Sequence, residues 1–149
     1  MSSERSAREL ALDLIGKRSL SRFELEQRLT RRGFATDEIE DALELLDSYG
    51  YIDDAGLAEA VAREAARQGK GQRWIDHTLR RRQIRAAPSM SQDQRDSAME
   101  RAKSLLLRRY GNPRTLPPKE KGKAYAYLIR RGFAPDEIRL LLDVDDRVD

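Results

Sequence analysis

The sequence of 149 residues contains no cysteine, one histidine and one tryptophan. Without cysteine there is neither a disulfide framework nor a thiolate metal site. With no second histidine either, a metal site would need carboxylates alone. No uncharged run approaches the roughly 18 residues of a membrane span, so no membrane partner is expected. Met1-Ser2-Ser3-Glu4-Arg5 runs straight into further charges, which argues against a secretory apolar segment and for a cytoplasmic protein. Also missing are a Gly-rich phosphate loop, a nucleophile elbow and a metal-binding helix motif. A general base at His77 would need a partner three or four residues on, where Arg80 and Arg81 stand. The expectation is a protein without cofactor and without enzymatic activity.

Charge, by contrast, is abundant. Charged residues make up 37% of the chain, against roughly 25% in an ordinary soluble domain. The formal net charge of +3 conceals segregation. From Thr36 to Glu59 there are nine carboxylates and no Lys or Arg, whereas Arg101 to Lys123 holds eight basic residues against Glu120 alone. Opposed blocks of this kind create opposed local fields, so one region can meet a polyanion that another repels.

A thirteen-residue string occurs twice, 99 positions apart: Arg31 to Leu43 and Arg130 to Leu142 share nine identities. Each copy runs Arg-Arg-Gly-Phe-Ala into Asp-Glu-Ile, a pattern of helix end, turn and new helix. Upstream, Leu25 and Leu29 in one copy match Ala124 and Leu128 in the other. A diverged middle copy has Ile75 and Leu79 leading into Arg80-Arg81-Arg82-Gln83-Ile84. Three repeats at this scale indicate stacked units with a long surface and no single deep pocket.

Helical periodicity occurs throughout, and no stretch alternates long enough for a strand. Ile39, Ala42, Leu43 and Leu46 fall at i, i+3, i+4 and i+7, one face of an amphipathic helix. Ser21-x-x-Glu24 and Ser91-x-x-Gln94 are capping boxes. Gly33 and Gly132, each after two arginines, are helix stops of the left-handed kind, and Gly50, Gly69 and Gly111 are read as further stops. Pro135 occupies a first helical turn, where a missing N–H does no harm. The reading is eight helices at about 4–16, 21–32, 36–48, 54–68, 72–82, 92–110, 118–131 and 135–143. The fold class is all-α: three tandem three-helix repeats (1–53, a diverged 54–111, and 112–149 with a short acidic tail) forming an elongated, curved rod.

The recurring arginines are the candidate binding groups. Cations at a helix C-terminus oppose the helix dipole, which accounts for one or two per helix. It does not account for Arg73, Arg80, Arg81, Arg82 and Arg85 together on one segment, nor for the cluster that includes Arg108 and Arg109. With Arg130 and Arg131 these form the candidate partner- or DNA-binding set. Trp74, Tyr125 and Tyr127 stand near basic residues, the pairing that base stacking uses, but helical aromatics more often serve packing. Phe34 and Phe133 are read as packing back on their own helices. Asp53 and Asp54 are read as cap and first-turn acid of the next helix, with Tyr51 and Ile52 packed between units.

The string Ser48-Tyr49-Gly50-Tyr51-Ile52-Asp53-Asp54 followed by Leu57-Ala58 resembles the Gly-Tyr-Leu/Ile-Asp-Asp element of the RecX family. Ser21-Arg22-x-Glu24-Leu25, Arg32-Gly33-Phe34, Gly69-Lys70-Gly71-x-Arg73, Arg109-Tyr110-Gly111 and Arg131-Gly132-Phe133 agree in order with that family's other segments. Gln83-Ile84 departs from it, since Gly-Ile is typical there. The resemblance implies a monomeric regulator of the bacterial recombinase RecA in homologous recombination, DNA repair and the SOS response. Such a protein would lie in the groove of the RecA–single-stranded-DNA filament and inhibit ATP turnover, strand exchange and filament growth. Direct contact with single- or double-stranded DNA stays open, and a stand-alone helix-turn-helix-like DNA-binding module is the alternative. Gly33, Phe34, Gly50, Tyr51, Asp53, Asp54, Gly132 and Phe133 are read as the structural repeat motif.

Overall fold

In the computed structural model, which describes residues 5–142, the repeated helix ends and their caps determine how the chain turns. The helices are α1 (Ala7–Lys17), α2 (Arg22–Arg31), α3 (Thr36–Ser48), α4 (Asp54–Gln68), α5 (Gln72–Arg82), α6 (Gln92–Tyr110), α7 (Pro118–Arg130) and α8 (Pro135–Leu141). A 3-10 turn at Pro113–Thr115 interrupts the proline-rich loop, with Asn112 accepting from the Arg114 N–H. No strand occurs among the described residues. The first helix begins at Ala7 rather than near residue 4, because the Ser6 hydroxyl accepts from the Glu9 N–H and fixes the start there. The last helix stops at Leu141, and its expected final residue, Asp143, lies outside the described residues.

The chain divides into two compact units, one comprising the chain to Glu59 with Leu79–Ala87, the other Ala60–Thr78 and the chain from Pro88 onward. In the first unit α1, α2 and α3 pack pairwise. Their apolar stripes meet in a core of Leu10, Leu20, Leu25, Leu29, Ile39, Leu43, Leu46 and Ile52, with alanines at closer approaches. Each fully buried leucine contributes about 1.5–3 kcal/mol relative to exposure. In the second unit α6, α7 and α8 pack pairwise, burying Ala98, Ala102, Leu106, Ala124, Leu128, Phe133, Ile138 and Leu141.

Four helices end in the same way; after α3 (φ +76° at Gly50), the Gly50 N–H reaches the Asp47 carbonyl and the Tyr51 N–H that of Leu46. After α2, the Gly33 N–H reaches the Thr30 carbonyl and the Phe34 N–H reaches that of Leu29. After α7, Gly132 and Phe133 repeat this with Ile129 and Leu128. After α5, Gln83 and Ile84 do so with Arg80 and Leu79. This double bond pattern requires a left-handed residue just past the helix, and φ is +88° at Gly33, +94° at Gly132 and +50° at Gln83. Gln83 is the one non-glycine with positive φ among the described residues. The departure from glycine in the middle copy therefore leaves the turn unchanged. Phe133 and Ile84 are buried and Phe34 is half-buried.

The two units are closed by polar links over long sequence separations. In the first, the Ser21 hydroxyl donates to the Arg82 carbonyl, and the Arg82 guanidinium donates to the Ser19 carbonyl and to Glu24. Asp54 accepts from the backbone N–H of Arg22 and of Arg85, so it holds the start of α2 and the exit from α5 together. Asp53 accepts from the Gly56 N–H at the start of α4. Tyr51 departs from expectation: it is 54% exposed and leans on Tyr49, itself 68% exposed, while only Ile52 enters the core. In the second unit the Gly71 N–H donates to the Arg131 carbonyl and the Arg73 N–H to that of Gly132. A side chain at Gly71 would overlap the Gly132 backbone, and one at Gly132 would overlap Trp74.

Two substitutions with opposite signs test this account. Gln83→Gly is expected to stabilise by about 0.5–1 kcal/mol, since relief of left-handed strain exceeds the added freedom of the unfolded chain. Gly132→Ala is expected to cost at least about 2 kcal/mol, from strained φ together with overlap on Trp74. Urea midpoints of both variants measure the difference.

Candidate partner-binding surface

Adjacent residues on a helix point about 100° apart, so neighbouring arginines can have unrelated duties. On α5, Arg73, His77, Arg80 and Arg81 stand at i, i+4, i+7 and i+8, and all four are exposed. The three arginines form a cationic stripe along one helix face. Asp76 forms no ion pair with it among the described residues; its carboxylate accepts from the Gln72 side chain. None of Arg73, Arg80 and Arg81 has an ion pair among the described residues. Arg85 is exposed beyond the helix, its backbone held by Asp54.

Arg82 is different. Its guanidinium lies 3.1 Å from Glu24 and also holds the Ser19 carbonyl, so it serves the first unit internally. Burial opposes ionisation of Glu24, but the Ser21 N–H and the Arg82 guanidinium together outweigh it, and the carboxyl titrates below its ordinary value. Arg131 has the matching role in the second unit. Its guanidinium donates to the carbonyls of Gly69 and Gln68 at the end of α4, and it lies against the Tyr127 ring.

The ends of α6 and α7 supply the remaining candidates. Arg108 and Arg130 are exposed and have no ion pair among the described residues. Arg109 covers both Tyr127, at 5.1 Å, and Tyr110, at 5.8 Å. Tyr110 and Tyr127 meet edge to face. Tyr127 thus contacts Arg109, Arg131 and Tyr110, an arrangement that locks its ring in packing. Trp74 lies under the Lys70 ammonium at 4.5 Å, and Tyr125 stays 38% exposed.

Charge is unequally divided. Over its described residues the second unit has 16 Lys or Arg and 8 Asp or Glu, a net of +8. The first unit has 12 against 13, a net of −1. Its α3 exposes Asp37, Glu40, Asp41, Glu44 and Asp47 in succession. A polyanion is therefore drawn to the second unit and to the α5 stripe, and repelled by the face of α3.

No group of three metal-ligating side chains occurs among the described residues. A depression of about 430 Å³ is an open groove along α4 and α6 lined by Ala66, Arg67, Asp96, Ser97, Glu100, Arg101 and Ser104. It brings no histidine or nucleophile–base pair together. No helix among the described residues is long and apolar enough to cross a membrane.

Of the sequence-derived candidates, Arg73, Arg80, Arg81, Arg85, Arg108 and Arg130 remain exposed for a partner, while Arg82 and Arg131 are engaged in the fold and Arg109 rests on two tyrosines. Within the repeat motif, Gly33, Gly50 and Gly132 have positive φ, Phe133 is core, and Asp53 and Asp54 are backbone acceptors. The partners of Arg82 lie 58 and 63 residues away, so its duty had no local sequence signal.

Two family models match: "RecX, first three-helix domain" over residues 7–46 and "RecX, third three-helix domain" over residues 96–142. A protein of Vibrio vulnificus named regulatory protein RecX is 29% identical over 139 residues, 92% of this chain and 91% of that one. The protein of the same name from Xanthomonas oryzae pv. oryzae (strain MAFF 311018) is 36% identical over 141 residues, 91% and 86% of the two chains. Among solved structures, RecX from Lactobacillus salivarius superposes with a TM-score of 0.74 at 20% identity, covering 92% of each chain.

Arg82→Ala should cost about 1–3 kcal/mol, because it leaves Glu24 without its cation and the Ser19 carbonyl without a donor. Arg81→Ala should cost less than about 0.5 kcal/mol. Glu24 has a lowered folded pKa, so its contribution is complete above the ordinary value near 4.5 and lost as pH falls through the lowered one. Arg82→Ala should therefore flatten the decline in stability below pH 4.5, read by urea unfolding across an acid series.

Proposed function

Because the chain belongs to the RecX family, we propose that it is a non-enzymatic regulator of homologous recombination that docks in the groove of the RecA–single-stranded-DNA filament. Held there, it inhibits ATP turnover, strand exchange and filament growth. The observation that carries this reading is the set of exposed, unpaired guanidinium groups at recurring helix ends, on a chain whose second unit has a net charge of +8. A filament of protein and nucleic acid is a periodic partner, and recurring cations match a periodic anion. In this reading the repeats 1–53, 54–111 and 112–149 follow one another along the chain, and the protein acts as a cytoplasmic monomer without a membrane.

The charge on the second unit also favours a narrower reading, in which that unit binds DNA without the recombinase. Naked single and double strands titrated across a salt series discriminate the two. A steep fall of affinity with salt, equal with and without recombinase, would assign the binding to phosphates alone.

The test of the main reading is the DNA-dependent ATPase of the recombinase, with this protein added before or after filaments form. The wild type should inhibit in both orders. Arg80→Glu with Arg81→Glu should weaken inhibition by about tenfold or more in concentration, with helix content unchanged by circular dichroism. Inhibition undiminished in that variant at moderate salt would remove the α5 stripe from the docking surface.

A further inference from the structure

We propose that the end of α2 carries a receptor for a single carboxylate side chain of a partner protein. A cavity of about 130 Å³ opens there, lined by Leu14 of α1, by Arg28 and Arg31 of α2 and by Arg32 just past its end. The arginines stand at i, i+3 and i+4, so their guanidinium groups share one side of the helix. Arg28 is half-buried and the other two are exposed. None of the three has a side-chain hydrogen bond or ion pair among the described residues.

The demands of the fold do not account for this convergence. In the other two copies of the repeat, the second arginine of the pair is engaged: Arg82 on Glu24 and the Ser19 carbonyl, Arg131 on the carbonyls of Gly69 and Gln68. Arg32, the matching residue in the first copy, is free and turned to the cavity. The helix dipole accounts for cations in the last turn, but like charges three and four residues apart repel one another. An anion removes that repulsion.

Size and surroundings select the anion. The cavity admits a carboxylate with a short methylene stem, and Leu14 supplies an apolar wall for such a stem. A guanidinium binds a carboxylate through two parallel hydrogen bonds. A nucleic-acid strand would bring further phosphates toward a unit of net charge −1, whose α3 exposes five carboxylates. One glutamate on a protein surface incurs little of that repulsion. The receptor belongs to the chain by itself; only the partner's identity, a subunit of the recombinase filament, rests on the reading above.

Two measurements test it. In the first, the Arg28 Nε–H resonance is followed by NMR while N-acetylglutamate N-methylamide, its glutamine analogue or inorganic phosphate is added. A saturable shift with the glutamate compound alone is expected. No shift, or a larger shift with phosphate, overturns the proposal. In the second, binding of Arg28→Gln and Arg28→Lys to filaments and to naked single-stranded DNA is compared with wild type, after melting curves establish that both variants fold. Arg28→Gln should weaken filament binding about tenfold and DNA binding less than about twofold, with Arg28→Lys between. Equal losses on naked DNA, or none on filaments, overturn the proposal. A wild type that ignores filaments while its Arg28 resonance responds to glutamate would retain the receptor and remove the regulator reading.

Discussion

The left-handed residue after α2, α5 and α7 is the constraint from which the rest of the structure follows. It lets two backbone N–H groups turn back onto the last helical carbonyls, and it aims the next residue at the core. Phe34, Ile84 and Phe133 are apolar because they stand at that point, and the following segment departs in a fixed direction because φ there is positive. After α2, α5 and α7, whatever stands one or two residues before the turn is presented in a recurring place. Those places hold Arg31-Arg32, Arg81-Arg82 and Arg130-Arg131.

The recurrence then supports two uses of one residue type. Arg82 and Arg131 point toward carbonyls left unpaired by earlier segments, and a guanidinium with five donors suits such positions. Arg81 and Arg130, one residue earlier, point away and remain exposed. The fold thus divides each pair into a structural cation and a solvent-facing one. In the first copy the division fails, since Arg32 has no carbonyl to hold, and a cavity stands where the other copies have a contact.

Much of the helical architecture was legible because the signals were local. Leucine pairs four residues apart, two capping boxes, glycine stops and one first-turn proline fixed eight helices to within three residues of their observed ends where the structure describes them. The role of Arg82 was not legible, since Glu24 and Ser19 are distant in sequence and an arginine at a helix end suits several purposes. Tyr51 misled for another reason. Its place in a dense motif suggested packing, but its ring is 54% exposed against Tyr49 while Ile52 goes in, although Gly50 ends α3 with the same pair of backbone bonds. The cavity at Arg28 needed a wall from α1, and no pattern within α2 contains Leu14.

A net charge of +8 on one unit carries its own cost, since like charges repel within a compact body. Its helices approach closely through alanines at 98, 102 and 124, and small side chains bury less apolar surface than leucines. Backbone links such as Gly71 to Arg131 and Arg73 to Gly132 consequently carry more of that unit's cohesion. Placing many of the cations near helix C-termini offsets part of the repulsion through the dipole, but only over the last turn. A polyanion in contact with the exposed guanidinium groups would relieve the rest. Binding of such a partner would therefore be thermodynamically linked to folding of this unit, its affinity including the release of repulsion stored in the free protein.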